Sequence, residues 1–104
     1  MSRRIVGNGA RVHSLGPGQL FWARVTGGTL LGDVRIYRGP AAIAPNVTRN
    51  PGGVLVGTLS SGAIVGTALN LSAQDFAGPG VQLVVEFDNA ADNIEVDFNG
   101  YPKS

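Results

Sequence analysis

The stretch 81-VQLVVEFDNAADNIEVDF-98 holds two apolar runs that alternate with polar residues, and an Asp- and Asn-rich loop separates them. Alternation with a period of two predicts half-buried β-strands, and the loop has turn chemistry. We therefore expect a terminal hairpin formed by residues 81–87 and 93–98. The residues predicted on its core side are Leu83, Val85, Phe87, Ile94, Val96 and Phe98.

Similar short runs recur upstream at intervals of about ten residues, with Gly and Pro between them. The runs at 54–59 and 63–71 predict a second hairpin, and Ser72 and Asp75 have the spacing of a capping box for one helical turn after it. Together with the scarcity of good helix formers, this pattern predicts an all-β protein, a single antiparallel β-sandwich of seven to eight short strands. The sequence leaves a jelly-roll and an immunoglobulin-like topology open. A chain of 104 residues suits one domain. We expect residues 1–9 to be a flexible N-terminal arm, residues 10–104 to form the sandwich, and residues 39–53 to be an exposed loop.

Charge is divided unevenly along the chain. Residues 1–49 contain seven Arg and one acid, a balance of +6, whereas residues 50–104 contain one Lys and six acids, a balance of −5. Two arrangements follow from this division. Basic and acidic strands pair within one molecule, or the basic surface of one copy pairs with the acidic surface of the next, as in a cyclic homo-oligomer or a lattice.

The outward-facing residues supply a candidate interface. Alternation places Leu20, Trp22 and Arg24 on one side of their strand, opposite Phe21, Ala23 and Val25, and it places Arg35 and Tyr37 on one side of the next. We expect these aromatic and Arg side chains to share a surface, since Trp, Tyr and Arg are enriched at the centres of protein interfaces. The acidic face of the terminal hairpin would complement them. The predicted partner-binding residues are Arg3, Arg4, Trp22, Arg24, Arg35, Tyr37, Glu86, Glu95 and Asp97.

The residues needed for catalysis are scarce. The chain contains no Cys and only one His, His13, so it offers no thiolate nucleophile, no Cys-based zinc site and no paired-imidazole metal site. No G-x-S-x-G motif is present to expose a nucleophilic serine. We therefore expect a protein that is not an enzyme and that uses no cofactor.

Ligand-binding modules form the alternative class of function. Trp22 and Tyr37 would be the stacking platforms of a carbohydrate-binding sandwich. Asp88 and Asp92 lie in one loop with two Asn and would be ligands of a calcium ion, although their spacing fits no EF-hand. Nucleic acid is not expected as a partner, because a net charge of +1 gives a weak overall field.

The chain carries neither a signal-peptide pattern nor a convincing membrane span. The Arg pair near the N-terminus is not followed by an apolar region, which predicts synthesis in the cytoplasm without a signal peptide. The uncharged stretch 50–74 is interrupted by Asn, Pro, Ser and Thr, so we expect no membrane partner.

The general character of the chain resembles that of small bacteriophage virion proteins, in particular capsid decoration or cement proteins. The resemblance is carried by residues 1–9 as an arm, residues 39–53 as a protruding loop and the strands at 81–87 and 93–98. It implies a homo-oligomer, such as a trimer, that binds a capsid protein in the virion and stabilises the lattice without chemistry. It carries over no site residues.

Overall fold

A computed structural model of the chain describes residues 3–7, 9, 11–39, 53–77 and 81–100, and these residues form two packed four-stranded sheets. The strands are β1 (Arg3–Val6), β2 (Val12–Gly16), β3 (Gly18–Val25), β4 (Val34–Gly39), β5 (Val54–Leu59), β6 (Ala68–Phe76), β7 (Gln82–Phe87) and β8 (Ile94–Gly100). All the pairings are antiparallel, which confirms the predicted all-β sandwich. The expected loop at 39–53 lies almost wholly outside the described residues.

The strand order decides between the two topologies that the sequence left open. One sheet has the order β1-β8-β3-β6 and the other has the order β2-β7-β4-β5. Every connection between consecutive strands crosses from one sheet to the other, except the connection from β4 to β5. Two interleaved sheets of four strands in this order form a jelly roll.

The expected terminal hairpin does not form, because β7 and β8 belong to different sheets. β7 lies between β2 and β4, whereas β8 lies between β1 and β3. Both strands are central, so their alternating apolar residues meet across the core instead of side by side. Leu83, Val85, Phe87, Ile94, Val96 and Phe98 are all fully buried there, as their periodicity predicted.

Two upstream segments also differ from the sequence interpretation. β5 and β6 belong to different sheets and therefore do not pair as a hairpin, although residues 61–62 do form a turn after β5. Residues 68–76 are one continuous strand that replaces the helical turn suggested by Ser72 and Asp75. Pairing of β6 with β3 overrides the local capping pattern.

The beginning of the chain is not an arm throughout, because Arg3–Val6 pairs with β8 as an edge strand. Val6 is buried in the core, and the chain then crosses to the other sheet through Gly7. Gly7 has a φ of 137°, and a Cβ atom there would lie 2.4 Å from the Asp92 carbonyl oxygen. A four-residue strand is too short to show a period in the sequence, which is why the pattern did not reveal β1.

The loops at one end of the sandwich are tied together by hydrogen bonds. The backbone of Leu30 exchanges hydrogen bonds with Gly62 and Ala63, at 2.8 and 2.9 Å. The buried Asp92 carboxylate accepts the N–H groups of Leu31 and Gly32 at 2.9–3.0 Å. This network holds the β3–β4 loop against the loops that follow β5 and β7.

Candidate functional site

Five of the predicted partner-binding residues come together on the exposed side of the β1-β8-β3-β6 sheet. In the register of this sheet, Asp97 lies between Arg3 and Trp22, and Glu95 lies between Ile5 and Arg24. We refer to these six residues as the outer sheet face: Arg3, Ile5, Trp22, Arg24, Glu95 and Asp97. The face combines one aromatic ring, two guanidinium groups and two carboxylates on three adjacent strands.

A bulge in β3 determines which of its side chains reach this face. The register shifts between Leu20 and Trp22, which leaves Phe21 unpaired. As a result Leu20 points into the core with Ala23 and Val25, where all three are buried. The expected placement of Leu20 beside Trp22 and Arg24 is therefore wrong, because one extra residue reverses the alternation along the strand.

The Trp22 ring is the centre of the outer sheet face. The guanidinium carbon of Arg24 lies 4.6 Å from the ring centroid, and that of Arg3 lies 5.9 Å from it. Cations at these distances are attracted by the ring quadrupole. Trp22 is consequently half-buried under the two Arg side chains.

The two carboxylates of the face differ in their partners. Glu95 accepts a hydrogen bond from Arg24 Nε at 2.7 Å and pairs with Arg24 Nη2 at 2.5 Å. Asp97 is only 1% exposed, and its Oδ1 atom has no hydrogen-bond partner among the described residues. A buried acceptor without a donor destabilises the folded state.

Replacing Asp97 by Asn tests whether the buried carboxylate destabilises the folded state. The neutral amide removes the desolvated charge, so we expect the free energy of unfolding at neutral pH to rise by about 1 kcal/mol. Urea denaturation of Asp97→Asn beside the wild type measures the difference. A loss of stability of similar size would mean that the charge of Asp97 is compensated in the folded protein.

Arg35 and Glu86 lie on the opposite side of the molecule, on the outward side of the β2-β7-β4-β5 sheet. Arg35 Nε and Nη2 donate to Glu86 Oε1 at 3.2 and 2.9 Å, and Arg35 also pairs with Asp88. Hydrogen bonding to Asp88 and Glu86 raises the pKa of Arg35 above its already high value, against the effect of burial. Glu86 is 0% exposed, so the expected exposed acidic face containing Glu86, Glu95 and Asp97 does not exist.

The remaining two predicted residues lie apart from both of these groups. Tyr37 is 5% exposed and pairs in register with Val84 in the β2-β7-β4-β5 sheet. Trp22 and Tyr37 therefore lie on opposite sheets, and the single surface expected for Trp22, Arg24, Arg35 and Tyr37 is not formed. Arg4 pairs in register with the buried Val96, and its guanidinium carbon lies 5.6 Å from the centroid of the Phe98 ring.

The ion pairs among the described residues show the first of the two charge arrangements, pairing within one molecule. Arg24 pairs with Glu95, and Arg35 pairs with Glu86 and Asp88, so in each case a residue of the basic half meets a residue of the acidic half of the same molecule. Internal pairing therefore accounts for Arg24, Arg35, Glu86 and Glu95 among the charges that were expected to attract a second copy.

The two candidate calcium ligands are engaged by protein donors. Asp88 pairs with Arg35, and Asp92 accepts backbone N–H groups. Over the described part of the chain, no group of three or more His, Cys, Asp or Glu side chains is placed to hold a metal ion.

Ile5 is the residue of the outer sheet face that the sequence analysis missed. It is 61% exposed, beside the Arg24–Glu95 pair. An apolar residue between Arg4 and Val6 gives no sign in the sequence of which side it occupies, because the strand is so short.

Comparisons of the chain with protein-family models, with curated proteins and with solved structures find no match in any of the three. Among the described residues no helix is long and apolar enough to cross a membrane.

Proposed function

We propose that this chain is a non-enzymatic assembly protein, a virion decoration or cement protein, that associates with its own copies and with a capsid lattice. The observation that carries the proposal is the composition of the outer sheet face. A half-buried Trp between two Arg side chains, next to an exposed Ile, has the residue types that dominate the energetics of protein interfaces.

One further argument supports the proposal. The jelly-roll topology occurs in viral capsid proteins, an argument by analogy of fold that carries less weight than the outer sheet face itself.

Neither Trp22 nor Tyr37, the two proposed stacking residues for a carbohydrate, presents an accessible ring face. Sugar stacking requires an accessible aromatic ring face, but Arg24 and Arg3 lie over the Trp22 ring. Tyr37 is buried and lies on the other sheet, so the two rings do not form a joint platform. The geometry therefore favours a protein partner over a sugar.

Light scattering coupled to size exclusion tests the self-association. We expect the wild type to form an oligomer that Trp22→Ala and Ile5→Ser both convert to monomer. Ile5→Ser is the milder variant, because the side chain of Ile5 is already exposed. The oligomer should persist at high salt, since Arg24 and Glu95 pair within one molecule and the contact is aromatic and apolar.

Val54→Ser is the matched control for Ile5→Ser. Val54 is 64% exposed and lies on β5, the edge strand of the other sheet, so this variant should remain an oligomer. A wild type that is monomeric at every concentration, or an oligomer that only Val54→Ser dissociates, would overturn self-association through the outer sheet face.

Sedimentation tests the association with a capsid. In extracts of cells that naturally produce the chain, an antibody should detect it with capsid-sized particles, and those particles should resist heating less well when the chain is removed. Recovery of the chain only among small proteins would contradict the lattice role.

A further inference from the structure

Internal pairing leaves three Arg side chains along one edge of the sandwich without an ion pair. Arg24 and Arg35 are paired, whereas Arg3, Arg4 and Arg11 make no ion pair with any described residue. Arg3 and Arg4 belong to β1, and Arg11 directly precedes β2, where its Nε donates to the Phe87 carbonyl oxygen at 3.2 Å. The first 32 residues contain no acid, so neither β1 nor β2 contributes a carboxylate to this edge.

A groove of about 480 Å³ runs along this edge, between β1 of one sheet and β2 of the other. Its floor is apolar, because Val6 and Leu15 pack on the core beneath it. The His13 ring also lines the groove and meets the Phe87 ring edge to face, with centroids 5.6 Å apart.

The two strands that border the groove have unpaired edges. Among the strands that the structure describes, β1 pairs only with β8, and β2 pairs only with β7. The free N–H and C=O groups of such an edge accept an added strand, and the alternate side chains of that strand enter the adjoining groove.

We propose that this groove binds an extended acidic segment of a second protein. The segment adds to the β1 or β2 edge, its apolar side chains contact Val6 and Leu15, and its carboxylates face Arg4 and Arg11. This binding does not depend on self-association through the outer sheet face, because its partner is a different protein.

A second copy of the chain does not offer such a segment. Asp33, Glu86 and Asp88 surround Arg35, Glu95 pairs with Arg24, and Asp92 accepts backbone N–H groups. Asp97 is buried, and Asp75 is the single acid of its strand, β6. One carboxylate does not complement three guanidinium groups.

Nucleic acid fits the groove less well than an acidic strand. Binding of single strands combines basic residues with accessible aromatic rings on which bases stack. The groove has an apolar floor, and the ring of Trp22 is covered by Arg24. Phosphates would satisfy the Arg side chains but would leave the strand edges and the floor without partners.

His13 is the single histidine of the chain, so its imidazole proton signals report on the groove without ambiguity in an NMR titration. The probe is a capped octapeptide of alternating Val and Glu. Its addition should shift the His13 signals in a saturable way, and the affinity should fall as salt is raised. The corresponding Val-Lys octapeptide should cause no shift.

Charge reversal gives the sharpest version of this test. Arg4→Glu with Arg11→Glu should weaken binding of the Val-Glu peptide by about tenfold or more and create binding of the Val-Lys peptide. Arg38→Gln removes a positive charge on β4, outside both the groove and the outer sheet face, and should leave the titration unchanged. These variants leave Ile5 and Trp22 intact, so they separate this inference from the proposed self-association.

Three results would overturn the inference. They are an absence of any His13 shift at millimolar Val-Glu peptide, equal binding of the two peptides, and displacement of the Val-Glu peptide by a thymidine oligonucleotide that binds more tightly. The last result would identify the edge as a phosphate-binding surface.

Discussion

Arg35→Met should destabilise the protein by about 3–5 kcal/mol, because it leaves the fully buried carboxylate of Glu86 without its cation. Glu86 Oε1 accepts both hydrogen bonds from Arg35, and Oε2 has no described partner. Once the guanidinium is removed, no donor among the described residues compensates the charge. Each kcal/mol corresponds to roughly 4–8 °C in the Tm of a domain of this size, so thermal unfolding shows the effect clearly.

A double variant separates the loss of stability caused by an unpaired buried charge from the net contribution of the ion pair to stability. Arg35→Met with Glu86→Leu replaces the buried pair by apolar side chains and should recover most of the lost stability. The matched control is Arg24→Met, which breaks the more exposed pair with Glu95 and should cost less than about 1 kcal/mol. Equal losses for Arg35→Met and Arg24→Met would contradict the assigned burial of Glu86.

Asp92→Ala should cost about 2–4 kcal/mol, because it removes the acceptor for the N–H groups of Leu31 and Gly32. Hydrogen bonds to a charged group contribute about 1.5–3 kcal/mol each. Urea denaturation measures the loss. Hydrogen exchange should accelerate at the Leu31 and Gly32 amides more than at β7, since the β3–β4 loop is released first.

Asp92→Asn is the control for this prediction, because it keeps one acceptor oxygen and should cost about half as much. If the carboxylate instead held a calcium ion that the fold requires, a chelator would lower the Tm of the wild type. A chelator-sensitive wild type, or exchange at Leu31 and Gly32 that Asp92→Ala leaves unchanged, would contradict the capping role.

The sequence alone determined the all-β class, most of the strands and the core residues of the last two. Alternation is a property of neighbouring residues, so it identified Leu83, Val85 and Phe87 correctly even though the pairing of their strand was wrong. The bounds of β5 were predicted as 54–59 and are found there. The sequence also predicted five of the six residues of the outer sheet face, but it grouped them with Arg4, Arg35, Tyr37 and Glu86 and missed Ile5.

Only the tertiary structure decided which strands are neighbours, and with that which charges meet. Neighbouring alternating runs in the sequence predict hairpins. In the jelly roll, however, β7 and β8 belong to different sheets, because long-range contacts across the core determine which strands pair. The bulge at Phe21 depends on the registers of β3 with β6 and β8 together, and it reverses the side on which Leu20 lies. The burial of Glu86 and Asp97 likewise depends on neighbours that are distant in sequence. Alternation predicts only that these side chains point away from the core, and it does not predict which residues cover them.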